Sequence, residues 1–168
     1  MIIEGNVHRF VPNDDINTDY IISGRYKFKI DDMKELAKHV MEDISPGFAS
    51  KVREGDVIVA GRNFGCGSSR EQAPRALKAA GVGAVVAKSY ARIFYRSAFN
   101  VGLPLLECET DWVKDGAALR IDLATGTVTD VSSGKSVLAT PIPRTMQILL
   151  ADGGLIPHIK KHDGFALE

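Results

Sequence analysis

The residues best suited to chemistry stand together in one stretch, Gly61-Arg62-Asn63-Phe64-Gly65-Cys66-Gly67-Ser68-Ser69-Arg70-Glu71. Its glycines permit positive φ and let the backbone come close to a ligand. The stretch follows an apolar run, Asp56 to Ala60, and precedes a segment with helix character. A helix start offers N–H groups without acceptors and a partial positive charge, a combination that suits an anion. Arg70 adds a planar donor fork that matches a carboxylate or a phosphate. Three chemistries compete here. A Walker-type phosphate loop needs lysine after Gly67, where Ser68 stands, and GxGxxG is also absent. A nucleophilic Cys66 needs a lowered thiol pKa, and no histidine lies near it in sequence. A serine acting as base needs its alkoxide held by backbone N–H groups and arginine. A plain strand-to-helix turn would use the same glycines and serines, so the local pattern leaves an anion site and a simple turn both open.

Two further groups could serve such a site. Asp14-Asp15-Ile16-Asn17-Thr18-Asp19 has the composition of a calcium loop but lacks the glycine and closing glutamate of an EF-hand. Its side chains are expected to bond their own backbone and order the loop. Arg25, Lys27 and Lys29 then alternate with Tyr26 and Phe28, which reads as a solvated strand edge or as a basic substrate loop. Arg92 and Arg96 are four apart, hence on one helix face, where they could meet an anion, a partner or water. The scattered histidines, His8, His39, His158 and His162, read as surface or structural residues.

The elements that must position these groups follow from periodicity and punctuation. Ile2 to Phe10 reads as a strand and Val11 to Tyr20 as a loop. Asp31 to Met41 has an acidic start and one apolar face, which predicts a helix. The centre reads strand, loop, helix, strand, helix, strand: Asp56 to Ala60, a helix from Ser69 to Ala80 with Ser69 and Gln72 as a capping box, Gly83 to Ala87, Ala91 to Asn100, and Leu103 to Leu106. That alternation predicts parallel strands joined by crossovers. Leu119 to Leu123, Thr127 to Val131 and Ser136 to Ala139 carry hairpin signals. Pro143 to Leu150 and Leu155 to Lys161 read as two short helices. The expectation is an α/β fold, one domain over residues 1–168, with parallel core strands and an antiparallel hairpin region.

Composition excludes several classes. Twenty-one Lys plus Arg balance 21 Asp plus Glu, so the formal net charge is zero. A nucleic-acid binder relying on a global positive field is therefore not expected. The two cysteines, Cys66 and Cys108, cannot make a four-cysteine metal site within the chain. The start lacks the charged and apolar regions of a signal peptide, and no apolar run reaches membrane-spanning length, so the expected place is the cytoplasm.

NTDYI (17–21), GRNFGCGSSREQAP (61–74) and AKSYARIFYRSAFNVGLPLL (87–106) occur in this order, and together they resemble the swivelling domain of the aconitase superfamily. The length is similar to its stand-alone small subunits of the isopropylmalate dehydratase type. The resemblance implies a swivelling β/β/α fold and a large subunit as partner. It implies no cofactor or metal on this chain and a [4Fe–4S] cluster on the large one. It implies dehydration and rehydration of a 2-hydroxy dicarboxylic acid, with 2-isopropylmalate leading and homoaconitase-, dimethylmalate- and citramalate-type substrates behind. Carried onto this sequence, Ser68 is the base, and Gly67, Ser69 and Arg70 bind substrate. Thr18 and Asp19 introduce a loop that closes over the substrate through Arg25, Lys27, Phe28 and Lys29. Phe28 stands where relatives carry Val or Arg, and an aromatic there suits an apolar side group. The competing class is a non-catalytic anion-binding or assembly module.

Overall fold

Val57-Ile58-Val59 and Ala84-Val85-Val86-Ala87 are short, apolar and buried at every position, the pattern of strands covered on both faces. In the computed structural model, which describes residues 1–167 apart from the Lys27 side chain, they form β2 (Val57–Val59) and β3 (Ala84–Ala87) at the heart of a seven-stranded sheet. The other strands are β1 (Ile2–His8), β4 (Leu105–Glu107), β5 (Ala118–Asp122), β6 (Thr127–Asp130) and β7 (Ser136–Leu138), in the order β4-β3-β2-β1-β5-β6-β7. The helices are α1 (Thr18–Ile21), α2 (Gly24–Lys27), α3 (Met33–Ala37), α4 (Phe48–Lys51), α5 (Gln72–Ala79), α6 (Arg92–Asn100), α7 (Arg144–Ala151) and α8 (Leu155–His162). The parallel core and the hairpin region are both as expected.

β1 joins the two halves. Its last residues, Val7 and His8, pair in parallel with Val57 and Ile58, and Ile2 to Asn6 pair antiparallel with Asp122 to Ala118. Asp56 pins the junction. Its carboxylate accepts from the N–H groups of Asn6 and Arg53, and His8 Nε2 lies 2.7 Å away. Burial works to raise this carboxyl, and the bonds from His8, Arg53 and Asn6 outweigh it, holding it below the ordinary range. β5 alternates exposed and buried residues, as a strand with one wet face should.

Three elements depart from the sequence reading. The helix expected from Ser69 begins at Gln72, with Glu71 as its uncapped start, so Ser69 and Gln72 form no capping box. Bonds outside the helix hold the serine segment: Thr18 Oγ1 donates to the Ser68 carbonyl, and Arg70 pairs with Asp19. The helix expected over Asp31 to Met41 ends at Ala37, and the Met41 N–H is drawn to the Ile21 carbonyl instead. The basic segment after Ser23 is a helical turn, α2, and not a strand edge. Among the described residues no helix is long and apolar enough to cross a membrane.

Candidate active site

Ligand crevices in parallel sheets lie beyond the carboxyl ends of the strands, and the loops leaving β1, β2 and β3 meet there. The Gly65 N–H donates to the Ile16 carbonyl, and the Thr18 N–H to that of Cys66. On the other flank, the Phe64 N–H donates to the Ser89 carbonyl and the Ala91 N–H to that of Phe64. The acidic loop bonds the glycine-rich loop more than itself. Asp14 accepts from the Arg62 N–H at 2.7 Å, and Asp15 accepts from Asn63 Nδ2 at 2.8 Å. Only Asn17 acts locally, capping α1 by accepting from the Tyr20 N–H. The expectation of a self-ordered loop is corrected accordingly: the neighbouring loop presents N–H groups within reach and fixes both.

Two glycines are required for this contact. An added Cβ at Gly61 would lie 1.9 Å from Asp14 Oδ1. One at Gly65, where φ is +80°, would lie 2.1 Å from Cγ of the buried Phe94 ring. Phe94 in turn meets Phe64 edge-on, with ring centroids 5.3 Å apart. The serine loop therefore rests on an aromatic floor.

Above that floor is a cavity of ≈ 560 Å³. Thr18, Gly65, Gly67, Ser68, Ser69 and Arg70 line it from the loops after β1 and β2, and Ala91 to Phe94, Arg96 and Ser97 line it from the start of α6. Thr18 is 2% exposed and holds the Ser68 carbonyl at 2.8 Å. Ser68 and Ser69 are exposed, and among the described residues neither hydroxyl has a partner. The backbone N–H groups of Gly67, Ser68, Ser69 and Arg70 likewise find no acceptor there, nor do those of Arg92, Ile93 and Phe94 at the uncapped start of α6. Such groups are donors for an anion or a developing oxyanion.

Arg70 is largely buried, and its guanidinium pairs with the exposed Asp19. Its Nε is buried without a partner among the described residues. Asp19, named with Thr18 at the entry to the substrate loop, does not line the cavity and pairs with Arg70. Arg25 bonds Asp43 at 2.6 Å, Tyr26 stacks on His39 at 3.8 Å, and Phe28 and Lys29 are exposed. Arg25, Phe28 and Lys29 do not line the cavity, and the Lys27 side chain lies outside the described residues. The segment nonetheless starts beside the site: a Cβ at Gly24 would lie 3.8 Å from both Arg70 Nη1 and Asp19 Oδ1.

Cys66 does not line the cavity. Burial, then Asp15, pushes its thiol up, which opposes a thiolate nucleophile. Burial, with Glu109 and Glu107, pushes Cys108 up to about 11. Asp152, His158 and His162 hold donor atoms within 4.8 Å of one another. That carboxylate already accepts from Lys161 Nζ and faces both imidazoles, so the group stands as an ion-paired anchor. Sequence reasoning placed the helix start at the serines; the first turn opening on the cavity belongs to α6. The four-residue spacing of Arg92 and Arg96 was its one visible signal, and Ser97 gave none.

A mixed sheet whose parallel strands deliver a Ser-Ser-Arg loop to an anion-suited cavity defines an aconitase-type swivelling domain. Residues 4–110 match the model of the aconitase C-terminal domain, and the chain belongs to that family. It is 56% identical over 149 residues to the 3-isopropylmalate dehydratase small subunit 2 of Archaeoglobus fulgidus, covering 89% of this chain and 90% of that one. It is 56% identical over 161 residues to the 3-isopropylmalate dehydratase small subunit of Nautilia profundicola, covering 95% of each. The crystal structure of 3-isopropylmalate dehydratase from Methanocaldococcus jannaschii superposes with a TM-score of 0.92 at 48% identity, over 97% of this chain and 96% of that one.

Proposed function

We propose that this chain, as one swivel domain, is the small subunit of a 3-isopropylmalate dehydratase and acts with a large subunit in leucine biosynthesis. The observation that carries the site assignment is the pairing of an unbonded Ser68 hydroxyl with four consecutive backbone N–H groups, Gly67 to Arg70, that have no acceptor among the described residues. A serine hydroxyl is too weakly acidic to serve as base unless its alkoxide is stabilised, and clustered N–H donors beside a guanidinium supply that stabilisation. Ser68 takes the carbon-bound proton of the 2-hydroxy dicarboxylate and returns it on rehydration. Ser69 and Arg70 hold a substrate carboxylate, Arg70 as a planar fork fixed by Asp19. Thr18 keeps the Ser68 backbone in place from beneath. A [4Fe–4S] cluster, held by the large subunit, would supply Lewis-acid chemistry at the substrate hydroxyl. Phe28, with Arg25, Lys27 and Lys29 around it, comes over the substrate when the subunits close and meets its apolar side group.

The test is Ser68→Ala in the enzyme reconstituted with its large subunit. Turnover of 2-isopropylmalate should fall by roughly three orders of magnitude or more, with subunit affinity unchanged, because the base is lost and the interface is not. Retained turnover would remove Ser68 from the role of base and favour an assembly module.

A further inference from the structure

Among the described residues, those lining the Ser68 cavity include three guanidinium groups and no carboxylate. Arg70 is neutralised by Asp19. Arg92 and Arg96 have neither an ion pair nor a hydrogen bond among the described residues, although both border the cavity from one face of α6. On their far side both also border a recess with Glu107, yet neither pairs with that carboxylate among the described residues. Two unpaired guanidinium groups therefore line a concave surface, which concentrates an anion more strongly than a flat one. Ser97 adds a hydroxyl to the Ser68 cavity. The volume, ≈ 560 Å³, lies within the range of about 300–1,000 Å³ found for small-molecule sites.

We propose that Arg92 and Arg96 form a second carboxylate subsite, where α6 lines the cavity. The dianion is then held at both ends, one carboxylate by Ser69 and Arg70 and the other by the α6 pair. The charge count fits: Arg70 with Asp19 contributes no net charge, and the two remaining arginines match a dicarboxylate. Guanidinium forks also suit carboxylate oxygens better than a point charge would. The identity of the dianion rests on the function proposed above; the existence of the subsite does not.

The experiment uses Arg92→Gln and Arg96→Gln, each assembled with the large subunit. Each should raise KM for 2-isopropylmalate about tenfold or more while kcat changes less than about threefold, the signature of lost substrate binding. The preference for the dicarboxylate over 2-hydroxy-3-methylbutanoate as competitor, which lacks the carboxymethyl group, should fall by a similar factor. Arg→Lys at either position should restore part of the loss, because it returns the charge without the fork. Subunit affinity should not move. Unchanged KM overturns the subsite, and unchanged KM with weakened subunit affinity assigns the arginines to the partner surface instead. If the assembled wild type turns over no malate derivative, calorimetry on the same proteins with 2-isopropylmalate and malonate reads the subsite directly. Dianion affinity that is lost in the variants then supports it without the dehydratase reading. Equal affinity in wild type and variants, or none in either, overturns it.

Discussion

On Arg70, an ion pair and a buried nitrogen without a partner among the described residues belong to the same guanidinium. Its side chain is 14% exposed, against 60% for Asp19. An arginine so far out of water keeps a fixed direction only if something charged holds it, and Asp19 is what holds it. The pair itself adds little to folding, about 0–1 kcal/mol, because one partner is wet. Its consequence is for binding. Asp19→Ala should raise KM about tenfold, with kcat within about threefold and the melting temperature nearly unchanged. Asp19→Asn keeps an acceptor and should cost less. Steady-state kinetics on the reconstituted enzyme decide this. A fall in KM would mean that Asp19 competes with substrate and does not position Arg70.

Among the elements, the turn from β2 into α5 carries the site, and Gly65 shows how tightly it is built. Gly65→Ala meets two penalties, a φ of +80° and a Cβ 2.1 Å from the Phe94 ring. Phe94 is 3% exposed and packs on Phe64, so it cannot step aside. Destabilisation of about 2–4 kcal/mol is expected from strain and overpacking together. Turnover should also fall by at least about tenfold, because Ser68 is three residues away on the same loop. Urea unfolding and kinetics would show both, and a variant with native stability would mean that the loop shifts freely. Much of this architecture was legible in the chain. Apolar runs such as Val57-Ile58-Val59 announced buried strands, and Gly, Ser and Arg after β2 marked the stretch that lines the cavity. The start of α5 was not legible, because Thr18 and Asp19 restrain Ser68 and Arg70 from fifty residues away. The end of α3 was hidden for the same reason: the Met41 N–H leaves the helix for a carbonyl on α1. The cavity itself needed α6 set against the serine loop, a relation that spacing along the chain does not encode.

Across the whole molecule, the proposed site depends on how α6 is set beside the serine loop, and the C-terminal helices pack on α6. α6 packs against α5, α7 and α8. α7 and α8 are tied together at Asp152, which accepts from Lys161 Nζ at 2.6 Å and has His158 Nδ1 and His162 Nε2 at 2.7 and 2.9 Å. His158 is fully buried, and the one polar partner of its ring among the described residues is that carboxylate. Bonds from Lys161 and His158, opposed by burial, hold the Asp152 carboxyl well below the ordinary range. A carboxyl whose folded pKa lies below its unfolded value of about 3.9 stabilises the fold fully above that pH. The contribution disappears as pH falls from about 4 through the folded value. Asp152→Asn should therefore be less stable than wild type both at pH 7 and at about pH 5. Below about pH 4 the two stability curves should converge, because only the wild type still has this carboxylate to lose. Urea melts across that range measure the margin directly. Curves that stay parallel into acid would show that Asp152 is not the group linking the C-terminal helices to pH.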